Sequence, residues 1–298
     1  MPREPLFRGS GVALVTPFDE AGVHEAALRA LVRFHLEEGT DALIVCGSTG
    51  EAVTMTAEEQ ELAVEIVVDE TAGEIPVVAG CGGSDTATVA GLATRARDAG
   101  ADALLLSAPP YNKPPQRGLV AHFRAVMDAG DLPVILYNVP GRTAVGIAPE
   151  TVAELAADER VIGVKEASGD LSLIAELAER VGDRITIWSG NDDQILPILS
   201  LGGQGVISVL GNVAPADTSR MVHAYLDGDS VEATRLQLRY LPLIRALFAV
   251  SNPIPVKTLT GWLGFDVGPL RLPLVPMTEA ERGRLLDAAR AVGLEPVR

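Results

Sequence analysis

Eight short apolar runs punctuate the chain as far as residue 209, at 11–15, 42–46, 76–80, 102–107, 133–138, 161–165, 185–189 and 205–209. Seven are nearly continuous rather than alternating, as strands buried on both faces are, and this predicts a parallel sheet covered by helices. Amphipathic helical stretches lie between them. Two examples are "HEAALRALVRFHLEEG" and "SDTATVAGLATRARDAG". Each ends on Gly a few residues before the next run, a helix C-terminus signal. The segments "EEGTDALIV" and "DAGADALLL" read as the same αβ connection used twice. Eight βα units within about 210 residues favour an α/β fold of the (β/α)8 TIM-barrel type over an open doubly wound sheet. No run has the polar face of an edge strand, and no glycine-rich dinucleotide fingerprint follows the first. From 214 onward the pattern is helical only. The expected organisation is a catalytic barrel over 1–225 and a small C-terminal helical extension over 226–298.

Composition adds a size to that core and removes several partners. Hydrophobic residues make up 47% of the 298 residues and aromatic residues only 4%, so the core is built mainly of Ala, Val, Leu and Ile. A net charge of −16 argues against nucleic acid or an anionic membrane surface as partner. No basic segment followed by an apolar one opens the chain, and no run is long enough to cross a membrane. Cys46 and Cys81 form neither a metal spacing nor a disulfide framework, so a cytoplasmic setting is expected.

In such a barrel the chemistry sits at the C-terminal ends of the strands. Those ends read "CGSTGE", "SAPPYNK", "YNVPGRT", "VKEASGD" and "WSGND", which brings Ser48, Thr49, Tyr111, Tyr137, Arg142 and Lys165 to one mouth. Four histidines, His24, His35, His122 and His223, fall in predicted helices, which speaks against a zinc-dependent barrel aldolase. Lys165 carries the strongest signal. Of 24 basic residues only Lys113, Lys165 and Lys257 are lysines. A lysine ending an apolar strand is costly while charged; burial lowers its pKa from about 10.4 toward about 7, and the neutral amine can attack a carbonyl to form a Schiff base. Arginine cannot do this. The plainer reading pairs Lys165 with Glu166, although adjacent strand residues point to opposite faces. Tyr137 is either a core tyrosine or an acid–base partner of Lys165. The "GSTG" turn exposes hydroxyls and backbone N–H groups that suit a carboxylate. Arg142 is either a surface arginine or a fork for a substrate carboxylate.

Taken together, "CGSTGE", "PPYNKP", "YNVPGRT", "GVKEASGD", "SGND", "GGQGVISV" and "NPIPVK", in this order, make the chain resemble the pyruvate-dependent class I aldolases of the dihydrodipicolinate synthase and N-acetylneuraminate lyase type. The resemblance runs from "GVALVTPFDEAG" through "RLPLVP", nearly the whole chain. "YNVPGRT" and "NPIPVK" look like the synthase branch. Ser48, where most synthases carry Thr, is a departure that keeps the hydroxyl. The resemblance implies no separate cofactor and a covalent Schiff base between Lys165 and pyruvate. It implies proton transfer by Tyr137 through Ser48 and Tyr111, with Tyr111 inserted from a neighbouring subunit of a homotetramer built as a dimer of dimers. It further implies that Thr49 holds the pyruvate carboxylate, that Gly190 and Ile207 line the lysine pocket through their backbone, and that Arg142 grips L-aspartate 4-semialdehyde. The product would be 4-hydroxy-tetrahydrodipicolinate, on the route to lysine and diaminopimelate. The regulatory lysine site of the family has no histidine or glutamate counterpart among Ala52, Ala57, Gln60, Ser84, Thr88 and Pro110, so weak or absent lysine inhibition is expected. The alternatives are another pyruvate-type aldolase such as N-acetylneuraminate lyase or a sugar-acid aldolase or dehydratase, a keto-acid sensor without turnover, and a pyridoxal phosphate lysine.

Overall fold

A continuous apolar strand needs cover on both faces, and the chain supplies it by closing the sheet on itself. The computed structural model describes residues 4–296. Its strands are β1 (Gly9–Ala13), β2 (Ala42–Val45), β3 (Val77–Gly80), β4 (Ala103–Ser107), β5 (Val134–Asn138), β6 (Val161–Glu166), β7 (Thr186–Ser189) and β8 (Gly205–Ser208). All neighbours pair in parallel, and β8 returns to β1 through the register Gly9↔Gly205, closing an eight-stranded barrel. The eight expected runs are these strands. The first lies two residues earlier than expected, because Gly9 N–H donates to the Gln204 carbonyl at 3.0 Å and opens the ladder with β8 there. Val15 meanwhile leaves the ladder and donates to Asn212 Oδ1 at 3.0 Å.

Alternation along each strand sorts the core into two layers. Val12, Leu43, Leu104, Leu136 and Val164 face outward and pack under the helices. Ala13, Ile44, Leu105, Ile135, Tyr137 and Trp188 face inward and fill the barrel. Phe7 stacks on Trp188, ring centroids 4.9 Å apart, within this filling. Gly163 makes room for it: a Cβ there would lie 2.2 Å from the Trp188 ring. The same period of two turns Lys165 inward, next to Tyr137 in the β5–β6 register, while Glu166 faces out.

The helical cover comprises α1 (Glu25–Glu37), α2 (Ala57–Thr71), α3 (Thr86–Asp98), α4 (Gln116–Gly130), the short α5 (Pro140–Thr143), α6 (Pro149–Leu155), α7 (Leu171–Val181), α8 (Ile195–Ser200) and α9 (Pro215–Leu226). Their starts follow ordinary capping chemistry: Thr56 and Glu59 close a reciprocal capping box on α2, and Asp85 caps α3. His24 departs from expectation. It stands just before α1 and accepts the Ala27 N–H through Nδ1 at 3.0 Å, so it caps the helix rather than lying in it. A two-stranded hairpin, Phe18–Asp19 with Gly22–Val23, follows β1.

After α9 come α10 (Ser230–Leu247), α11 (Ile254–Leu263) and α12 (Glu279–Ala291), with no further strand among the described residues. The α10–α11 junction lies across the barrel mouth, where Phe248 and Asn252 line the cavity described next. α11 is tied down by Lys257, whose Nζ donates to Glu51 Oε1 at 2.6 Å and to the Pro269 carbonyl at 2.8 Å.

Candidate active site

The strand ends enclose a cavity of about 510 Å³, including the space open to solvent. β5 and β6 set its centre. Tyr137 and Lys165 are register partners, and the Lys165 amine lies 4.4 Å from the centre of the Tyr137 ring. Lys165 is only 5% exposed and has no carboxylate within ion-pair distance among the described residues. Burial therefore lowers its pKa to about 7, with Arg142 pushing the same way and the Asp192 carboxylate opposing. Glu166 is not its partner. That carboxylate accepts from Asn138 Nδ2 at 2.9 Å and from the Ser168 N–H at 2.6 Å on the outer face. Tyr137 is buried too, which raises its pKa to about 12, Arg142 opposing and Glu166 adding to the rise.

The turn after β2 brings Ser48 and Thr49 to the same cavity. It is tight: Gly50 N–H donates to the Gly47 carbonyl at 3.1 Å, and Glu51 takes a left-handed conformation at φ 57°. Thr49 is buried, and its Oγ1 accepts from Asn252 Nδ2 at 2.9 Å. Arg142, on α5, enters from the opposite rim and donates from Nη2 to the Asn252 carbonyl at 3.1 Å. Gly190 borders the lysine stem so closely that a Cβ would stand 3.1 Å from Lys165 Cε and 2.7 Å from Ala167 Cβ. Ser48, Thr49, Tyr137, Arg142, Lys165 and Gly190 are thus six of the eight expected site residues, and all line one cavity.

The other two are not among the residues that line it. Ile207 is fully buried in the inner layer on β8, and it is Val209, two residues on, that borders the cavity. Tyr111 is 89% exposed at a left-handed turn (φ 70°) and takes no part in lining the cavity of its own chain. Asn252, Asn191 and Phe248 line the cavity without having been singled out from the sequence. Asp192 was also missed. It is buried, and accepts from Ser208 Oγ at 2.6 Å and from the Leu210 N–H at 2.9 Å. Burial raises its pKa, and Lys165 partly offsets the rise. Among the described residues no group of three or more His, Cys, Asp or Glu side chains is arranged to hold a metal ion.

A buried, unpaired lysine beside a tyrosine at a barrel mouth suits carbonyl chemistry, and comparison with known proteins gives it a lineage. The dihydrodipicolinate synthetase family model matches residues 6–292. The chain belongs to this family. A 4-hydroxy-tetrahydrodipicolinate synthase of a Thermoanaerobacter species is 52% identical over 291 residues, covering 97% of this chain and 98% of the relative. The crystal structure of dihydrodipicolinate synthase from Aquifex aeolicus superposes with a TM-score of 0.95 at 41% identity, covering 98% of this chain and all of that one. A monomeric dihydrodipicolinate synthase variant reaches a TM-score of 0.94 at 40% identity, covering 97% of this chain and 98% of its own. The match to the family spans the α10–α11 junction as well as the barrel, so the family's common unit includes the segment that carries Asn252.

Proposed function

We propose that the chain condenses pyruvate with L-aspartate 4-semialdehyde to give 4-hydroxy-tetrahydrodipicolinate, in the cytoplasm and on the route to lysine and diaminopimelate. The observation that carries this reading is Lys165, buried and unpaired beside Tyr137 in a mouth that also holds Arg142. Full-length relatives named for this reaction support it over a sugar-acid aldolase.

The neutral Lys165 amine attacks the pyruvate ketone, and water leaves to give an iminium. The pyruvate carboxylate rests on the Thr49 hydroxyl and the adjoining turn. The iminium draws electrons from the methyl group, which loses a proton and becomes an enamine. Tyr137 carries protons to and from the reacting atoms, with Ser48 beside it. The enamine carbon then bonds to the aldehyde carbon of the second substrate, whose carboxylate Arg142 holds. Finally the substrate's own amine attacks the iminium carbon, closes the ring and displaces the Lys165 amine. No separate cofactor enters this sequence. Tyr111 completes the proton path of a neighbouring subunit in a dimer of dimers, a role supported by its exposure and by its taking no part in lining its own cavity.

Borohydride reduction in the presence of pyruvate, followed by peptide mapping, tests the chemistry. The adduct is expected on Lys165 alone. An adduct elsewhere, or none, overturns the assignment. Turnover of the pyruvate-loaded enzyme with aspartate semialdehyde rather than with N-acetylmannosamine tests the substrate.

A further inference from the structure

We infer that Asn252 is a substrate-positioning residue that ties the two carboxylate grips together and accepts a hydrogen bond from the ammonium of the second substrate. The inference rests on the function proposed above and deepens it. Asn252 reaches the mouth from the α10–α11 junction and is 7% exposed. Three of its polar atoms matter. Nδ2 donates to Thr49 Oγ1 at 2.9 Å. The backbone carbonyl accepts from Arg142 Nη2 at 3.1 Å. Oδ1 is buried and has no partner among the described residues.

Each contact has a chemical consequence. A hydroxyl that accepts from Nδ2–H keeps its own proton to give away, so Asn252 leaves Thr49 a donor toward a carboxylate. The Arg142 contact uses one N–H of the five in its guanidinium and leaves others for a second carboxylate. One residue therefore sets the spacing between the holders of the first and the second substrate. An unpaired buried carbonyl oxygen is costly to leave unmade, and such an atom in a substrate cavity is accounted for when a donor arrives with the ligand. Of the two substrates only aspartate semialdehyde carries a strong donor, its α-ammonium. Oδ1 is thus assigned to that group, which places the amine for the ring closure that ends the reaction.

The test uses the full-length enzyme, two variants, and succinate semialdehyde, the same aldehyde without the amine. The advantage of the amine is read as the inhibition constant of succinate semialdehyde divided by the KM of aspartate semialdehyde. In Asn252→Ala this advantage is expected to fall about tenfold and the KM for pyruvate to rise about tenfold, the scale of one hydrogen bond to a charged group. Asn252→Asp separates the two contacts. It keeps an acceptor for the ammonium but cannot donate to Thr49, and its carboxylate takes the Thr49 proton instead. It is expected to keep the amine advantage and to show the raised KM for pyruvate. Should Asn252→Ala fail to fold, the pyruvate KM of Asn252→Asp still decides the Thr49 contact. An unchanged amine advantage in Asn252→Ala, or an unchanged pyruvate KM in Asn252→Asp, overturns the inference while the function stands. Failure of the unaltered enzyme to turn over aspartate semialdehyde removes the function and this inference with it.

Discussion

Lys165 and Lys257 invite comparison because so much about them is shared. Both are among only three lysines in the chain, both are buried, and each amine lies over an aromatic ring, 4.4 Å from the centre of Tyr137 and 4.3 Å from that of Phe18. What differs is the company. Lys257 has Glu51 at 2.6 Å and the Pro269 carbonyl at 2.8 Å. Lys165 has no carboxylate in contact among the described residues. Burial lowers the pKa of both, but Glu51 opposes the fall at Lys257 by direct hydrogen bond and charge, whereas at Lys165 only the more remote charge of Asp192 does so. The same residue type becomes a strut where it is paired and a nucleophile where it is not. Burial alone does not make a lysine reactive; burial without a counterion does.

The sharpest way to break this contrast is to remove each amine. Lys165→Met is expected to lower kcat/KM by about 10⁴-fold or more and to abolish borohydride trapping. The same change is expected to raise stability at pH 7 by about 2 kcal/mol, because an unpaired amine leaves an apolar site. A loss of stability in urea unfolding would show that Lys165 has a partner after all. The rings beneath the amines give the next largest effect. Tyr137→Phe keeps the face under Lys165 and removes only the hydroxyl, so kcat is expected to drop about 10²- to 10³-fold with little change in stability. Retained kcat would take proton transfer away from Tyr137.

At the other lysine the order of effects reverses. Lys257→Met strands the Glu51 carboxylate in a buried site, and a cost of about 3–5 kcal/mol is expected. Glu51 also accepts the Arg271 N–H at 3.0 Å and occupies the left-handed end of the turn that carries Ser48 and Thr49. Weaker pyruvate binding should accompany the instability. Adding Glu51→Gln should recover most of the stability, since the amide keeps an acceptor for Arg271 and needs no counter-charge. Failure of that double variant to recover would mean that the pair matters for packing rather than charge.

The two lysines also mark how far the sequence could be read. The barrel was legible because parallel strands buried on both faces leave unbroken apolar runs. Lys165 was legible because it interrupts such a run at the end where barrel sites form. The Lys257–Glu51 pair was not, since its members stand 206 residues apart and Lys257 lies on a helix with an apolar context of its own. Asn252 was missed for a related reason. Reading the strand ends finds what the barrel contributes to its mouth and overlooks what the α10–α11 junction lays across it. Ile207 was expected from the resemblance to border the lysine through its backbone, and its side chain belongs to the inner layer of the barrel. Tyr111, exposed in a single chain, was placed at this mouth by its strand end and in a neighbouring subunit's only by resemblance, because a strand-end reading assigns every side chain to its own barrel.

The gentlest test leaves both lysines in place and changes the pH. With a folded-state pKa of about 7, the Lys165 amine is mostly neutral above pH 7 and mostly protonated below it. The rate of pyruvate imine trapping is therefore expected to rise about tenfold per pH unit up to about pH 7 and then level off. Tyr137, raised to about 12, adds no falling limb below pH 10. Stability must follow the same proton. The unfolded amine titrates near 10.4, so between about pH 7 and 10 the unfolded chain holds a proton that the folded one has released, and stability rises with pH in that window. Below pH 7 both forms are protonated and the burial cost is felt in full. Lys165→Met should lose this rise, and Asp192→Asn, which removes the charge favouring the ammonium, should move the trapping midpoint to lower pH. A midpoint near pH 9 or above in the unaltered enzyme would mean that a counter-charge supports the Lys165 ammonium as Glu51 supports that of Lys257, and the contrast between them would collapse.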